Sequence, residues 1–190
     1  SRPGVIVIAI PAQYVRSVLA RLDRKTVSGK TFVIVSKGIE TSSLKTLSQV
    51  TRDTLGHAVH IVVLSGPNIA REVAQGVPSA ASVASKDAKA ASRVRELFST
   101  DVFKIYETDD LLGVELGGSL KNVISIGYGI ADGMGLGTNT RAVFFARGLA
   151  EMARLGMKMG AKRETFMGLS GLGDLATTCF CPEGRNRTCG

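Results

Sequence analysis

The chain has 190 residues, 44% hydrophobic, 21% charged and 5% aromatic, with a formal net charge of +8. Such a composition describes a folded globular protein with room for one large or two modest domains, and excludes a low-complexity chain. The basic residues are scattered with few aromatics between them, which speaks against a nucleic-acid surface, and no apolar run approaches the roughly 18–20 residues of a membrane span.

The chain opens on Ser1-Arg2-Pro3-Gly4 and the apolar run Val5–Ile10, which is too short for a signal peptide and is closed by Pro11 as a buried strand would be. Gly4–Ile10, Thr31–Ser36 and His60–Ser65 are short runs rich in Val and Ile, each stopped at once by Pro, Gly or a polar residue. They read as strands buried on both faces of a parallel sheet. Tyr14, Val15, Val18, Leu19 and Leu22 recur at helical spacing, as do Leu44, Leu47, Val50 and Leu55. Ser79–Ser85 is a further strand, Ala88–Phe98 a helix and Val102–Tyr106 a last strand. Alternation of this kind predicts right-handed crossovers in a doubly wound, Rossmann-like parallel sheet.

From about Asp109 the pattern changes to a period of 3.6 residues, over Leu112–Ile130, Asn139–Gly156 and Glu164–Phe180. Leu116, Leu120 and Val123 form one apolar ridge; Leu149, Met152, Leu155 and Met159 form another, with the methionines as core fillers. The expected class is therefore α/β over residues 1–108, followed by an all-helical unit over residues 109–190. Ligands favour the carboxyl ends of such strands and the seam between two units.

The strands end on Ile10-Pro11, Ser36-Lys37-Gly38 and Ser65-Gly66-Pro67-Asn68. Lys37 is thus either a site residue or a surface lysine in a loop, and Gly66-Pro67-Asn68 either a ligand turn or a helix start capped by Asn68. Further on, Val114, Gly117, Gly118, Lys121 and Ser125 share one helical face. Its glycines permit close approach of a ligand or another backbone; alternatively they form a helix-packing notch from which Lys121 reaches water. Asp174 and Thr178 share a face at four-residue spacing, and Arg185-Asn186-Arg187 offers two guanidinium forks suited to phosphate. Gly133-Met134-Gly135-Leu136-Gly137 has no strand before it, so it reads as an interhelical turn rather than a phosphate loop. Cys179, Cys181 and Cys189 lack a fourth ligand of the usual kind, which points to reduced thiols and no metal.

In order, Ser36-Lys37-Gly38-Ile39-Glu40, Ser65-Gly66-Pro67-Asn68-Ile69-Ala70-Arg71-Glu72, Gly117-Gly118-Ser119-Leu120-Lys121-Asn122-Val123, Arg147-Gly148-Leu149-Ala150-Glu151-Met152, Gly171-Leu172-Gly173-Asp174-Leu175 and Arg185-Asn186-Arg187 resemble the bacterial-type NAD(P)-dependent glycerol-3-phosphate dehydrogenases. The resemblance implies interconversion of sn-glycerol 3-phosphate and dihydroxyacetone phosphate with NAD or NADP, for glycerophospholipid synthesis, in a cytoplasmic enzyme, with a homodimer as the expected assembly. It implies Lys121 as the proton-transferring residue. It places Lys37, Gly66, Asn68, Asp174, Thr178, Arg185 and Asn186 at substrate positions, and Lys37, Ala70 and Arg185 at cofactor positions. Gly184 stands where bacterial members carry serine, so one contact is either lost or made by backbone N–H. The family's Gly-x-Gly-x-x-Gly turn does not follow the first strand. The resemblance therefore implies an internal fragment, without the first nucleotide-binding turn or the last helices and inactive alone.

Overall fold

The computed structural model describes residues 4–190, and Ser1–Pro3 lie outside the described residues. In chain order the strands are β1 (Val5–Ile8), β2 (Thr31–Ile34), β3 (Ile39–Glu40), β4 (Lys45–Thr46), β5 (His60–Ser65), β6 (Ser79–Ala84) and β7 (Phe103–Thr108). The helices are α1 (Val15–Leu19), α2 (Arg24–Val27), α3 (Leu47–Leu55), α4 (Ala70–Ala74), α5 (Ala88–Phe98), α6 (Leu111–Gly133), α7 (Thr138–Lys158), α8 (Arg163–Met167), α9 (Asp174–Phe180) and α10 (Arg185–Cys189).

β1, β2, β5, β6 and β7 form one sheet in that order, while β3 and β4 make a small hairpin. Side chains alternate across the sheet as a period of two requires. Phe32 and Ile34 join Ile8, Ile61 and Val63 on the face covered by α1, α3 and the start of α6. Val33 and Val62 point the other way, onto Ala81, Val83 and the Val94 side of α5.

The sheet is mixed rather than parallel throughout. β1, β2 and β5 run parallel, but β6 is antiparallel to β5, and β7 is parallel to β6. The cause lies in the link over 66–78, whose only helix is the five-residue α4. A parallel crossover must carry the chain back along the whole strand, usually on a full helix; this link offers only five helical residues, and the chain turns straight back. The 11-residue α5 then provides a proper crossover to β7. This reversal leaves β7 at the edge of the sheet opposite the carboxyl end of β5, and α6 must run back beneath the sheet.

The carboxylate of Asp110 fixes the start of α6. Its Oδ1 accepts from the Gly113 N–H at 3.0 Å, and its Oδ2 accepts from the Lys162 N–H at 2.9 Å and the Thr165 hydroxyl at 2.6 Å. One buried side chain therefore caps α6 and ties it to α8. α7, α9 and α10 pack around α6 over a core containing Leu116, Tyr128, Met152, Phe166 and Leu175.

Three helical readings need correction. Glu164–Phe180 is broken: α8 ends before Gly168, a π-type turn covers Leu169–Gly173, and α9 follows. The glycines explain the break, because a Cβ on Gly171 would lie 2.2 Å from the Phe166 carbonyl oxygen. The two ridges are only partly buried: Leu116 and Met152 are core residues, but Val123, Leu155 and Met159 are exposed, because the helices packed on α6 and α7 cover one side of each. Leu44 is not helical; it takes a φ of 56° in the turn before β4, is 78% exposed, and α3 begins only at Leu47. Gly133 closes α6, and residues 134–137 are the turn to α7, as the sequence context indicates.

Gly117 is the tightest point between α6 and the π-type turn. A Cβ there would lie 2.4 Å from the Ser170 carbonyl oxygen, a backbone atom with little freedom to withdraw. Gly117→Ala is expected to destabilise the fold by about 1–3 kcal/mol. Gly133→Ala, where a Cβ meets nothing within 4 Å, is expected to be neutral or to stabilise by up to about 1 kcal/mol. Denaturant midpoints of the two variants test this, and equal midpoints would refute the notch.

Candidate active site

α6 carries Lys121 to the carboxyl ends of β2 and β5, where Lys37 and Ser65 leave the sheet. α9 brings Asp174 to the same point from the other side. The Lys121 ammonium donates to Asp174 Oδ1 and, at 2.6 Å, to the Thr178 hydroxyl. Lys37 donates to Asp174 Oδ2, and the Ser65 hydroxyl lies 3.4 Å from that oxygen. Lys121 is 7% exposed and Asp174 only 2%, so a buried carboxylate bridges two lysines drawn from different elements. The Thr178 hydroxyl in turn donates to the Asp174 carbonyl at 2.7 Å, one turn back along α9.

Gly118 gives the Ser65 hydroxyl room at this meeting. A Cβ there would lie 2.8 Å from Ser65 Oγ, and at 3.4 Å it would be in ordinary van der Waals contact with Lys37 Cγ. The Gly117–Gly118 pair thus admits the π-type turn on one side and Ser65 on the other. The Ser119 hydroxyl accepts from the Gly38 N–H at 3.0 Å, fixing the Lys37 loop to the same helix.

Burial pushes the Lys121 ammonium down to about 8, with the nearby Lys37 charge acting in the same direction and Asp174 opposing it. Such a lysine exchanges protons near neutrality, as a general acid–base group must. Behind it, burial pushes the Cys179 thiol up to about 11, which leaves it an inert core residue.

The bridged lysines open onto a cleft of about 650 Å³. Asn68 and Ala70 line it from the β5 side, Thr178 and Gly184 from α9 and the loop after it, and Arg185 and Asn186 from α10. Gly66 lies instead in an adjoining, more apolar hollow of about 500 Å³, which Lys37, Asn68 and Ala70 also border. A Cβ on Gly66 would sit 2.8 Å from Ala81 Cα, so this glycine lets β5 turn against β6.

Several local readings change. Asn68 is no helix cap: α4 has Ile69 at that position, and Asn68 Nδ2 donates to the Ala80 carbonyl at 3.0 Å. The cause is β6 itself, which returns close enough to offer that carbonyl. Arg185 and Arg187 do not act as a pair of forks. Arg185 is exposed at the cleft and, among the described residues, makes no hydrogen bond or ion pair. Arg187 points away, pairing with Asp132 on α6 and lying 5.9 Å from the Tyr128 ring centroid, because successive odd positions fall on different faces of a helix. The Gly184 N–H is not free for a ligand, since it donates to the Cys181 carbonyl at 3.1 Å.

Sequence reasoning did not single out Asn122, Arg71 or Ser65. Asn122 Oδ1 accepts from Asn186 Nδ2 at 2.7 Å, joining α6 to α10 across the cleft, and its place beside Lys121 was the available signal. Arg71 borders the same cleft and approaches Glu183 at 4.0 Å, both being exposed. Lys37, Arg71 and Arg185, with the amides of Asn122 and Asn186, form a donor set for phosphate groups. That set fits the phosphate-bearing parts of a dinucleotide or of a small phosphorylated substrate. A further cavity of about 600 Å³ at the amino end of β5 is lined by Lys45 paired with Asp53, by His60 beside Asp87, and by Arg52 and Lys86, which donate to backbone carbonyls; it presents no buried lysine.

Residues 1–91 match the N-terminal model of NAD-dependent glycerol-3-phosphate dehydrogenase, and residues 110–190 match its C-terminal model. The chain is 51% identical over 188 residues to a glycerol-3-phosphate dehydrogenase [NAD(P)+] of Geobacter metallireducens, covering 98% of this chain and 56% of the relative. A relative of the same name from Clostridium tetani is 43% identical, with 97% and 53% covered. Among solved structures, the glycerol-3-phosphate dehydrogenase of Coxiella burnetii superposes with a TM-score of 0.92 at 39% identity, covering 97% of this chain and 56% of that one. That of Dunaliella salina gives 0.89 at 29% identity, with 97% and 32% covered. The chain thus spans a little over half the length of the bacterial relatives it matches. With both family models met in order and the lysine–aspartate–lysine bridge at their junction, the chain belongs to the NAD-dependent glycerol-3-phosphate dehydrogenase family.

Proposed function

We propose that a protein carrying this chain interconverts sn-glycerol 3-phosphate and dihydroxyacetone phosphate with NAD or NADP, supplying glycerol 3-phosphate for glycerophospholipids. The observation that carries this reading is Lys121, buried, bridged to Lys37 through Asp174, and lowered to about 8 beside a cleft rich in phosphate donors. The names of the relatives support it. A nicotinamide cofactor held by Lys37, Ala70 and Arg185 would supply or accept the hydride. Lys121 gives a proton to the carbonyl oxygen during reduction, and takes one from the hydroxyl during oxidation. Asp174 and Thr178 hold the Lys121 ammonium in place, and Asp174 also draws Lys37 to the reacting end of the substrate. Arg185 and Asn186 hold the substrate phosphate, with Gly66, Asn68 and Gly184 shaping the pocket. Lys37, Ala70 and Arg185 also touch the cofactor.

The same reading makes the enzyme a homodimer of the cytoplasm. Its three cysteines are free, as a reducing compartment favours, and no helix among the described residues is long and apolar enough to cross a membrane.

The full-length protein is expected to oxidise NADH or NADPH only when dihydroxyacetone phosphate is present. The 190-residue chain alone, with no Gly-x-Gly-x-x-Gly turn, is expected to do so negligibly. Turnover of a hydroxyacid or a phosphogluconate in place of dihydroxyacetone phosphate would refute the assignment. Activity of the 190-residue chain would refute the need for that turn.

A further inference from the structure

Glu115 is a buried carboxylate that the proton transfer does not use. It lies on α6, 7% exposed, and reaches across to the first turn of α3. Its Oε1 accepts from the Ser48 N–H at 2.7 Å and its Oε2 from the Ser48 hydroxyl at 2.6 Å. α3 also closes its start with its own residues, the Thr46 N–H donating to Gln49 Oε1 at 3.0 Å. The Ser48 N–H takes its partner from α6. Burial raises the Glu115 carboxyl above its usual range, against the donors of Ser48, Thr46 and Leu47. A group held at that cost is a specific contact rather than a solvated surface charge.

The contact does not stand alone. The Glu115 carbonyl accepts from the Ser119 hydroxyl at 2.8 Å, and that hydroxyl accepts from the Gly38 N–H. α6 is thus joined to the sheet unit twice within about one turn, once at α3 and once in the loop that carries Lys37. Lys121 follows two residues later on the same helix. A rigid helix fixed at these points cannot slide or turn without changing the Lys121–Lys37 separation.

We propose that Glu115, through Ser48, is a positioning residue that sets the register of α6 on the sheet and thereby the placement of Lys121 against Lys37 and Asp174. The proposal rests on Lys121 being the proton donor, but its primary readout does not. The charged and titratable groups bordering the cleft beside Lys121 are Lys37, Arg71, Asp174, Cys181, Glu183 and Arg185, with Cys179 behind it. None is removed by a change at Glu115. Loosening the clamp lets water reach Lys121 and separates it from Lys37, so its proton affinity rises toward that of a free lysine.

The test uses the full-length enzyme and its Glu115→Ala, Glu115→Gln and Ser48→Ala variants. Acylation of Lys121 by acetic anhydride, followed across pH by mass spectrometry, gives its titration midpoint without any turnover. Glu115→Ala is expected to raise that midpoint above about 8 and to lower kcat by about 10- to 100-fold, with KM little changed. Glu115→Gln, which keeps the acceptor for the Ser48 N–H, is expected to restore most of both. An unmoved midpoint in folded Glu115→Ala overturns the proposal, as does a kcat loss that merely tracks the unfolded fraction. If Glu115→Ala does not fold, Ser48→Ala decides, with a smaller shift in the same direction supporting the proposal and an unmoved midpoint overturning it. A moved midpoint with unchanged kcat upholds the clamp and instead removes Lys121 from the chemistry.

Discussion

Replacing Lys121 by Met in the full-length enzyme is expected to lower kcat for dihydroxyacetone phosphate reduction by about 10²–10⁴-fold, the usual contribution of a positioned general acid. Cofactor binding should persist, since the proposed cofactor residues Lys37, Ala70 and Arg185 are untouched. The proposed role predicts a matching signature in the pH dependence of the parent enzyme. If Lys121 is the proton donor, reduction requires it protonated, so kcat/KM should be level below about 8 and fall above it; oxidation requires the free amine and should rise through the same value. A descending limb near 10, where an ordinary lysine titrates, or an unchanged limb in Lys121→Met would remove Lys121 from the proton step. Stability gives an independent reading. A lysine lowered to about 8 from 10.5 leaves the unfolded chain holding more protons across that interval, so stability rises with pH through it and is lost as pH falls back to about 8. Lys121 therefore burdens the fold at neutral pH, and Lys121→Met is expected to match or exceed the parent in melting temperature there.

Asp174→Asn is expected to have the opposite effect on the fold. The carboxylate is buried and bridges two ammonium groups, and its removal leaves them facing each other unneutralised. Breaking a buried ion pair from one side costs about 3–5 kcal/mol. Here the cost should be largest near pH 6 and smaller near pH 9, because Lys121 can shed its proton. Asp174 also holds the Lys121 value up, so the descending limb for reduction should move below about 8. Denaturant titrations at the two pH values, with the pH profile, test both parts. Equal stability losses at pH 6 and pH 9, or a limb that stays in place, would show that the bridge does not govern Lys121.

Much of this architecture was legible in the residues. Val- and Ile-rich runs marked the first three strands of the main sheet, the runs at Ser79–Ser85 and Val102–Tyr106 fall on the other two, and the helix over Ala88–Phe98 is found with those bounds. Strand direction was not legible from composition, because alternation of side chains is the same whichever way a strand runs. The signal lay in the 66–78 link, which holds no full helix of the kind a parallel crossover usually uses. The face holding Gly117, Gly118 and Lys121 was visible from helical spacing, yet its partner was not. Lys37 and Asp174 are separated by 137 positions, and no local periodicity encodes that meeting. Arg187 misled for the opposite reason: its neighbours in sequence face the cleft, while its own turn of α10 faces α6.

The reversal at β6 has a mechanical consequence for Lys121. Since β7 ends at the edge of the sheet away from the cleft, Lys121 is delivered from the interior of a 23-residue helix instead of from a strand-end loop. A helix advances about 1.5 Å and turns about 100° per residue. One residue inserted between Asp110 and Gly117 would therefore screw the ammonium away from Asp174, however well the helix itself survived. Loops at 66–78 and 181–184 can absorb a change of length by bending. The segment between the Asp110 cap and Lys121 cannot, and its length is a gauge on which the chemistry is set.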